Sequence, residues 1–407
     1  MYDSINDLKI ENVMIFVSDS LRWDYTPSRV KKMGLTFKTI ASSLYTSSSF
    51  PSIFTGMYPP RHGVFTWEDK LLPWNRGILD VAGYDISLRC ETTWTSMGPE
   101  DSQIHSSCGN PPGTPLSEMK EPFIYIEDDK GGHCPYGFDF SEYDGDCPDF
   151  FEEYGKKPRR ELVEKYERGV KKSVENFEKR LKTLEDRGIK GNTLVIFTSD
   201  HGELLGEYGG LIGHGRPACP ELVYVPTVFI HPGIKCKRSE GFMRHVDLYP
   251  TIMELLAEKV EIGLLDGVNV LKKTPKTGLS FREGGFKKSD GIKRKFDYKG
   301  HSVWDQDGGF VLHKHGKAIF LGLYLYKIMK KHPEFIYMIN SLKGDGVSGK
   351  FNGYREGFKH LTDPKIRYDE PNFDVEKAKS MIDNYLKDCQ KLNEKLRIRK
   401  SIGKLKI

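Results

Sequence analysis

Asp200 and His201 stand side by side in Thr198–His214, TSDHGELLGEYGGLIGH, and both side chains are metal-ligand types. Fourteen residues after Asp200, His214 sits between Gly213 and Gly215 in a glycine-loosened loop. A second carboxylate, Asp19, follows the run Asn12–Val17, NVMIFV, in Ser18-Asp19-Ser20. Thr46, Ser47, Ser48 and Ser49 are consecutive hydroxyl residues just before the apolar segment Phe50–Phe54. Carboxylates and imidazole together can hold a divalent cation, and a hydroxyl touching that cation becomes a usable nucleophile. A helix starting after the hydroxyls would add backbone N–H groups that attract phosphate or sulfate. Each piece also has a plainer reading. Asp-His-Gly can be a solvated turn, Asp19 a helix N-cap, and the hydroxyls caps in a Ser-rich turn.

The elements that would position these residues follow from patterning. Leu194–Phe197 is a short apolar run that reads as a buried parallel strand leading to Asp200. Asn12–Val17 reads the same way and leads to Asp19. Parallel strands of a doubly wound sheet present their carboxyl ends on one edge, where sites sit. Asp19 and Asp200 are therefore expected to meet. The hydroxyls read as a loop, with a helix starting at Phe50-Pro51 and stopped by Gly56 and Pro59-Pro60. Arg159–Arg187 places Leu162, Tyr166, Val170, Val174, Phe177, Leu181 and Leu184 at helical spacing, so one face is buried and the charges are solvated. His301–His313 reads as a hairpin turning at Asp307-Gly308-Gly309, and Val375–Glu394 as a closing amphipathic helix.

Three stretches in this order resemble the sulfatase branch of the alkaline phosphatase superfamily: NVMIFVSDSLRWDY, SSSFPSIFTGMYPPRHGV and NTLVIFTSDHGELLGEYG. Pro122–Tyr136 is similar to the family's strand followed by a His-x-Pro-Tyr turn, and Arg244–Leu256 to its Val-Asp-Leu-x-Pro-Thr helix. Asp266-Gly267 and Arg282-Glu283 fall where similar pairs occur. The resemblance implies an α/β fold: a mixed, largely parallel sheet flanked by helices, with a small C-terminal α+β subdomain. It divides the chain into a catalytic region, 1–285, and a smaller region, 286–407. It implies that Asp19, Asp200 and His201 ligate a divalent metal that also binds Thr46. Thr46 lies nine residues before Thr55, the family's nucleophile position, and a one-residue register error would promote Ser47. His214 falls where the family often has Lys or His, and would hydrogen-bond the transferring group or protonate a leaving oxygen. His133 matches a substrate-side His; its other reading is a turn histidine before Pro135.

Two departures shape the expected chemistry. The Cys/Ser-x-Pro-x-Arg motif that sulfatases oxidise to formylglycine is missing. Its nearest match, Ser49-Phe50-Pro51-Ser52-Ile53, has Ile53 where Arg is required, and Ser49 lies three residues too close to Thr55. Ser20 follows Asp19 where a second Asp is usual, and His201 stands where Asn is common. Less carboxylate and an added imidazole suit Zn or Mn better than Ca. One ion or two is open, because His214, His231, His245 and Asp247 show no defensible spacing for a second site. The expected activity is metal-dependent hydrolysis of a sulfate or phosphate ester. Two alternatives stand: a phosphotransferase passing a phosphoryl-linked headgroup to a sugar or lipid, and a catalytically inactive sulfatase-like binding protein.

Composition bounds these readings. The chain's 407 residues can hold one large α/β domain and a smaller one, and 38% hydrophobic with 29% charged residues fits a soluble protein. A net charge of +5 from 62 basic and 57 acidic residues argues against a dedicated nucleic-acid binder. The expected partner is a small-molecule, glycan or lipid ester, and the oligomeric state is open. Seven cysteines with no CxxC suggest neither a disulfide framework nor a zinc-thiolate site, and reduced thiols point to the cytoplasm. The first residues, MYDSINDLKIEN, do not read as a signal peptide. Ala318–Tyr326 is too short to span a bilayer, and Ala318–Met338 reads as a core helix, with a membrane-surface helix as the other option. Peptide mapping of residues 41–61 is expected to show unmodified Thr and Ser; an aldehyde at Ser49 would restore a formylglycine mechanism.

Overall fold

Asn12–Ser18 (β1) is buried along its whole length, because it has a strand on each side and a layer on each face. Its period-two alternation feeds two cores: Val13, Ile15 and Val17 enter one, Met14 and Phe16 the other. The computed structural model describes residues 8–404 apart from 73, 91–102, 110, 139–141, 144, 146, 156, 216–217, 259–264, 287–295, 314–354, 356–357 and 361–364. Beside β1 lie Leu35–Ile40 (β2), Asp85–Cys90 (β3), Phe123–Asp129 (β4) and Thr193–Thr198 (β5). Leu204–Gly206 (β6) and Leu211–Gly213 (β7) form a separate two-stranded ladder. Tyr224–Ile230 (β8), Lys237–Arg238 (β9) and Met243–Arg244 (β10) complete the main sheet. Its order is β10-β2-β8-β5-β1-β4-β3, with β9 on β2. Every pairing is parallel except those of β8, which runs against both β5 and β2. The fold is thus α/β with a mixed, mainly parallel sheet.

Helices cover both faces. Thr46–Thr55 and Leu248–Leu255 put Phe50, Ile53, Phe54, Leu248 and Ile252 on the Val13–Ile15–Val17 face. Arg159–Asp186 covers the other face with Leu162, Tyr166, Val170, Val174 and Phe177, as the spacing predicts, while Leu181 packs there partly buried. A second, antiparallel sheet follows: Gly278–Phe286 (β11), Phe296–Trp304 (β12), Gly308–His313 (β13) and Lys365–Asp369 (β14). The expected hairpin is the β12–β13 pair. The closing helix runs Val375–Lys404, ten residues beyond the expected end, and packs Ala378 and Ile382 against Phe281 and Val303. The stretch Ala318–Met338 lies outside the described residues. Among the described residues, no helix is long and apolar enough to cross a membrane.

Two expectations fail. The helix of the hydroxyl segment starts at Thr46, with Tyr45 in the N-cap position, so Pro51 lies inside it and does not mark its first turn. Ser48 and Ser49 are consequently not caps: their hydroxyls donate backward, to the Tyr45 carbonyl at 3.2 Å and the Ser43 carbonyl at 3.1 Å. Cysteine spacing suggested no disulfide, yet Cys134 and Cys147 are joined, with Cα atoms 5.6 Å apart. The His-Cys-Pro-Tyr turn folds back onto the helix Cys147–Tyr154, a proximity that spacing along the chain does not carry.

Phe177 meets Phe16 at 5.3 Å and Phe197 at 4.9 Å between ring centroids, joining the long helix to β1 and β5. Phe177→Ala is expected to cost ~3–5 kcal/mol by urea denaturation, and Leu181→Ala distinctly less.

Candidate active site

The register of β1 on β5 pairs Val17 with Thr198, so Asp19 and Asp200 each lie two residues beyond the same rung. Both are buried at the carboxyl edge of the sheet. Asp200 Oδ1 accepts from the Ser20 N–H at 3.1 Å and the His201 N–H at 2.8 Å, and the Ser20 hydroxyl donates to Asp19 Oδ1 at 2.9 Å. Asp19 therefore caps no helix. Ser20 sits at φ 60°, a left-handed conformation that a β-substituted residue adopts at some cost. Tyr166 holds it there, donating from its hydroxyl to the Ser20 carbonyl at 2.7 Å and accepting from the Arg22 N–H at 3.1 Å. Two glycines let backbones close on the site. A Cβ on Gly131 would meet the Asp19 carbonyl oxygen at 2.5 Å, and one on Gly202 the Glu221 carbonyl oxygen at 1.9 Å.

His201 has a defined tautomer. Its Nδ1 lies 2.9 Å from the Gly202 carbonyl oxygen, which only accepts, so Nδ1 carries the proton. Nε2 then bears a lone pair, 3.2 Å from Thr46 Oγ1 and 3.2 Å from Asp200 Oδ2. Asp200 Oδ2 is buried with no hydrogen-bond donor. Two electron-rich atoms facing each other in a buried site call for a cation. Ligand atoms of Asp19, Asp200 and His201 lie within 4.8 Å of one another, so the set fits a divalent metal. Charge accounting agrees. Burial pushes Asp19 well above the usual carboxylate range, and Asp200 and Asp128 add to it. Burial also works against the Asp200 anion, but His201 and the Ser20 N–H outweigh it and hold Asp200 low. Burial lowers His201 against the pull of Asp200, the direction that favours the neutral imidazole a metal requires.

Thr46 heads the first turn of its helix, facing His201. The neighbouring Ser47 hydroxyl is buried and makes no hydrogen bond among the described residues. His214 follows β7, its ring centroid 4.3 Å from that of His201 and 5.2 Å from that of His133. His133 Nδ1 donates to the Cys134 carbonyl at 2.7 Å, and burial, with His214 nearby, lowers it to about 3. Asp19, Thr46, His133, Asp200, His201 and His214 thus come together. The remaining candidates do not join them. His245 spends both nitrogens on backbone, Nε2 on the Ser199 carbonyl at 2.9 Å and Nδ1 on the Ser42 N–H at 3.3 Å. Asp247 pairs with Arg244 at 2.6 Å. His231 follows the reversed strand β8, at the opposite edge of the sheet.

Sequence reasoning missed Glu203, Tyr136 and Arg282 as neighbours of the site. Glu203 is fully buried and receives the Tyr136 hydroxyl at 2.5 Å and His214 Nδ1 at 2.7 Å. Burial pushes its carboxyl up to about 7. The available signal was a carboxylate two residues past His201. Arg282, on β11, donates from Nε to the Gly215 carbonyl at 3.0 Å and lies 4.5 Å from the Tyr45 ring centroid, bringing the second sheet to the rim.

Asp200→Ala is expected to lower bound metal and kcat together, measured by elemental analysis and steady-state kinetics. Thr46→Ala should lose several orders of magnitude in kcat while Thr46→Ser keeps measurable turnover. Near-normal turnover of Thr46→Ala would transfer the role to Ser47.

Residues 118–258 match the Sulfatase family profile. The low-salt glycan biosynthesis sulfotransferase Agl7 of Haloferax volcanii is 36% identical over 323 residues, covering 78% of this chain and 78% of that protein. Among solved structures, a 2-O GAG sulfatase aligns with a TM-score of 0.58 at 16% identity, covering 85% of this chain and 94% of that one. The phosphonate monoester hydrolase of Agrobacterium radiobacter aligns with a TM-score of 0.51 at 15% identity, covering 86% and 95%. The two structural likenesses speak to the fold; the sulfotransferase, similar over most of both chains, speaks to descent. The chain belongs to the sulfatase family of the alkaline phosphatase superfamily, a family of enzymes.

Proposed function

We propose that this chain is a metal-dependent transferase that moves a sulfuryl or phosphoryl group from an ester donor to a hydroxyl of a glycan, through a covalent intermediate on Thr46. The observation that carries the reading is the plain hydroxyl of Thr46 at the head of a helix, 3.2 Å from the lone pair of His201. An ester on Thr46 Oγ1 has no second oxygen on the same carbon to expel the group. An outside nucleophile must take it, and an alcohol serves as well as water. Similarity to a glycan biosynthesis sulfotransferase supports the alcohol.

A divalent cation held by Asp19, Asp200 and His201, with Zn or Mn best suited to the imidazole, would supply Lewis-acid stabilisation of the Thr46 oxygen and the ester oxygens. The residues do the rest. Asp200 Oδ1 stays fixed by two backbone N–H groups, so its other oxygen keeps its aim. The helix starting at Thr46 places its positive end beside an anionic ester. His133 and His214 line the same side, their ring centroids 5.2 Å apart, beside the transferring group.

Incubation with a donor ester labelled in sulfur or phosphorus and a panel of glycan acceptors is expected to place label on the acceptor, and Thr46→Ala to abolish this. Release of label only as inorganic sulfate or phosphate at saturating acceptor would make the chain a hydrolase and overturn the transfer reading.

A further inference from the structure

We propose that Glu203, locked by Tyr136, is a positioning residue that fixes His214 as the proton carrier of the transfer reaction. The proposal rests on reading this site as a group-transfer centre.

The ladder of β6 and β7 pairs Leu204 with Gly213 and Leu205 with Ile212. Continued by one rung, the same register sets Glu203 opposite His214. Backbone geometry therefore delivers the carboxylate to the imidazole, and their side chains meet at 2.7 Å. The other carboxylate oxygen is taken by the Tyr136 hydroxyl at 2.5 Å. With Glu203 ionised the carboxylate accepts both hydrogen bonds, and the proton it shares with His214 then lies on Nδ1. That turns Nε2 away from Glu203, the arrangement by which a buried carboxylate orients a catalytic imidazole. The His214 ring centroid lies 4.3 Å from that of His201, the rings tilted by 34°, and His201 Nε2 lies 3.2 Å from Thr46 Oγ1.

Tyr136 is itself immobilised. Its ring packs edge-on against Phe150, Phe151 and Tyr166 at 5.1, 5.8 and 5.6 Å. Tyr166 is the residue that holds Ser20. One aromatic cluster therefore braces both the metal-ligand corner and the Glu203–His214 pair.

The step balances as follows. In the first half the bond from Thr46 Oγ1 to sulfur or phosphorus forms, the donor's ester bond breaks, and the Thr46 hydroxyl proton ends on the leaving oxygen. In the second half the acceptor oxygen attacks, the bond to Oγ1 breaks, and the acceptor's proton ends on Oγ1. His214 Nε2 carries the proton between the two oxygens each time.

The competing use of these residues is a second metal site, since ligand atoms of His201, Glu203 and His214 also lie within 4.8 Å of one another. Both Glu203 oxygens are already engaged by Tyr136 and His214, which favours the positioning role.

The test compares wild type, His214→Ala, Glu203→Ala, Glu203→Gln and Tyr136→Phe on aryl sulfates and phosphates graded from 4-nitrophenyl to unsubstituted phenyl. Metal content and thermal unfolding are measured on each. A leaving group that needs a proton feels the loss of its carrier most. His214→Ala and Glu203→Ala are expected to lose about 100-fold or more on phenyl esters and several-fold less on 4-nitrophenyl esters, with metal content unchanged. Gln can still accept from Nδ1 and donate to Tyr136, so Glu203→Gln should recover part of the phenyl-ester rate. Tyr136→Phe, which keeps the ring packing, should show the same selective loss in smaller measure. Equal losses across the series, or loss of a metal equivalent in Glu203→Ala, would overturn the proposal while leaving the transfer reading intact. If wild type turns over no ester at all, the transfer reading falls and takes the carrier role with it.

Discussion

Two carboxylates buried at one sheet edge are the constraint around which this protein is built. Asp19 and Asp200 cannot both carry charge in an uncompensated interior, where each isolated anion is costly. Their surroundings answer only part of that demand. Asp200 Oδ1 has two backbone donors and Asp19 Oδ1 has the Ser20 hydroxyl, while Asp200 Oδ2 and the His201 lone pair face each other. A cation held there would complete the account. The left-handed Ser20, the close approaches at Gly131 and Gly202, and the Tyr166 hydroxyl all hold this arrangement in place.

The two faces of the sheet do different work for the site. The face covered by Thr46–Thr55 brings the Thr46 hydroxyl, because that helix packs Phe50, Ile53 and Phe54 onto Val13, Ile15 and Val17. The opposite face brings the support. Arg159–Asp186 lays Tyr166 beneath Ser20 and Phe177 between Phe16 and Phe197, so a surface helix with many charges still reaches the centre through two rings. The second sheet is tied in at the Thr46 end. The Phe281 N–H donates to the Ser42 carbonyl at 2.9 Å, and Arg282 bridges to Gly215 beside His214.

Loss of the formylglycine motif and gain of an imidazole belong to one change of chemistry. A plain hydroxyl needs a partner that stabilises its oxygen, and the structure sets Thr46 Oγ1 3.2 Å from His201 Nε2, beside the residues that would hold a cation. On the proposed reading, a covalent ester on Thr46 would be released by whichever nucleophile the site admits. A sulfatase fold would host transfer in this way, and the fold alone does not name the acceptor.

The strands ending at Asp19 and Asp200 were legible in the sequence because continuous apolar runs of β-formers leave few alternatives, and parallel strands share an edge. The motif order and the distance from Thr55 singled out Thr46, and the helical period of Arg159–Arg187 singled out its buried face. Other features depended on contacts between distant segments. Pro51 suggested a helix start, but the carbonyl of Tyr45 accepts from both Ser48 and Ser49, so the helix begins four residues after Ser42 and ahead of the proline. Cys134 and Cys147 carry no spacing signature, and only the fold of the turn brings their sulfurs together. His245 and His214 were both available for a second metal; tertiary hydrogen bonds to Ser42 and Ser199 occupy the first, while a two-stranded ladder delivers the second to Glu203. Local patterning determined which residues could do chemistry, since apolar periodicity and motif spacing are written along the chain. Which of them do meet was decided by the tertiary structure, because hydrogen-bond partners and the exclusion of water are properties of packed segments.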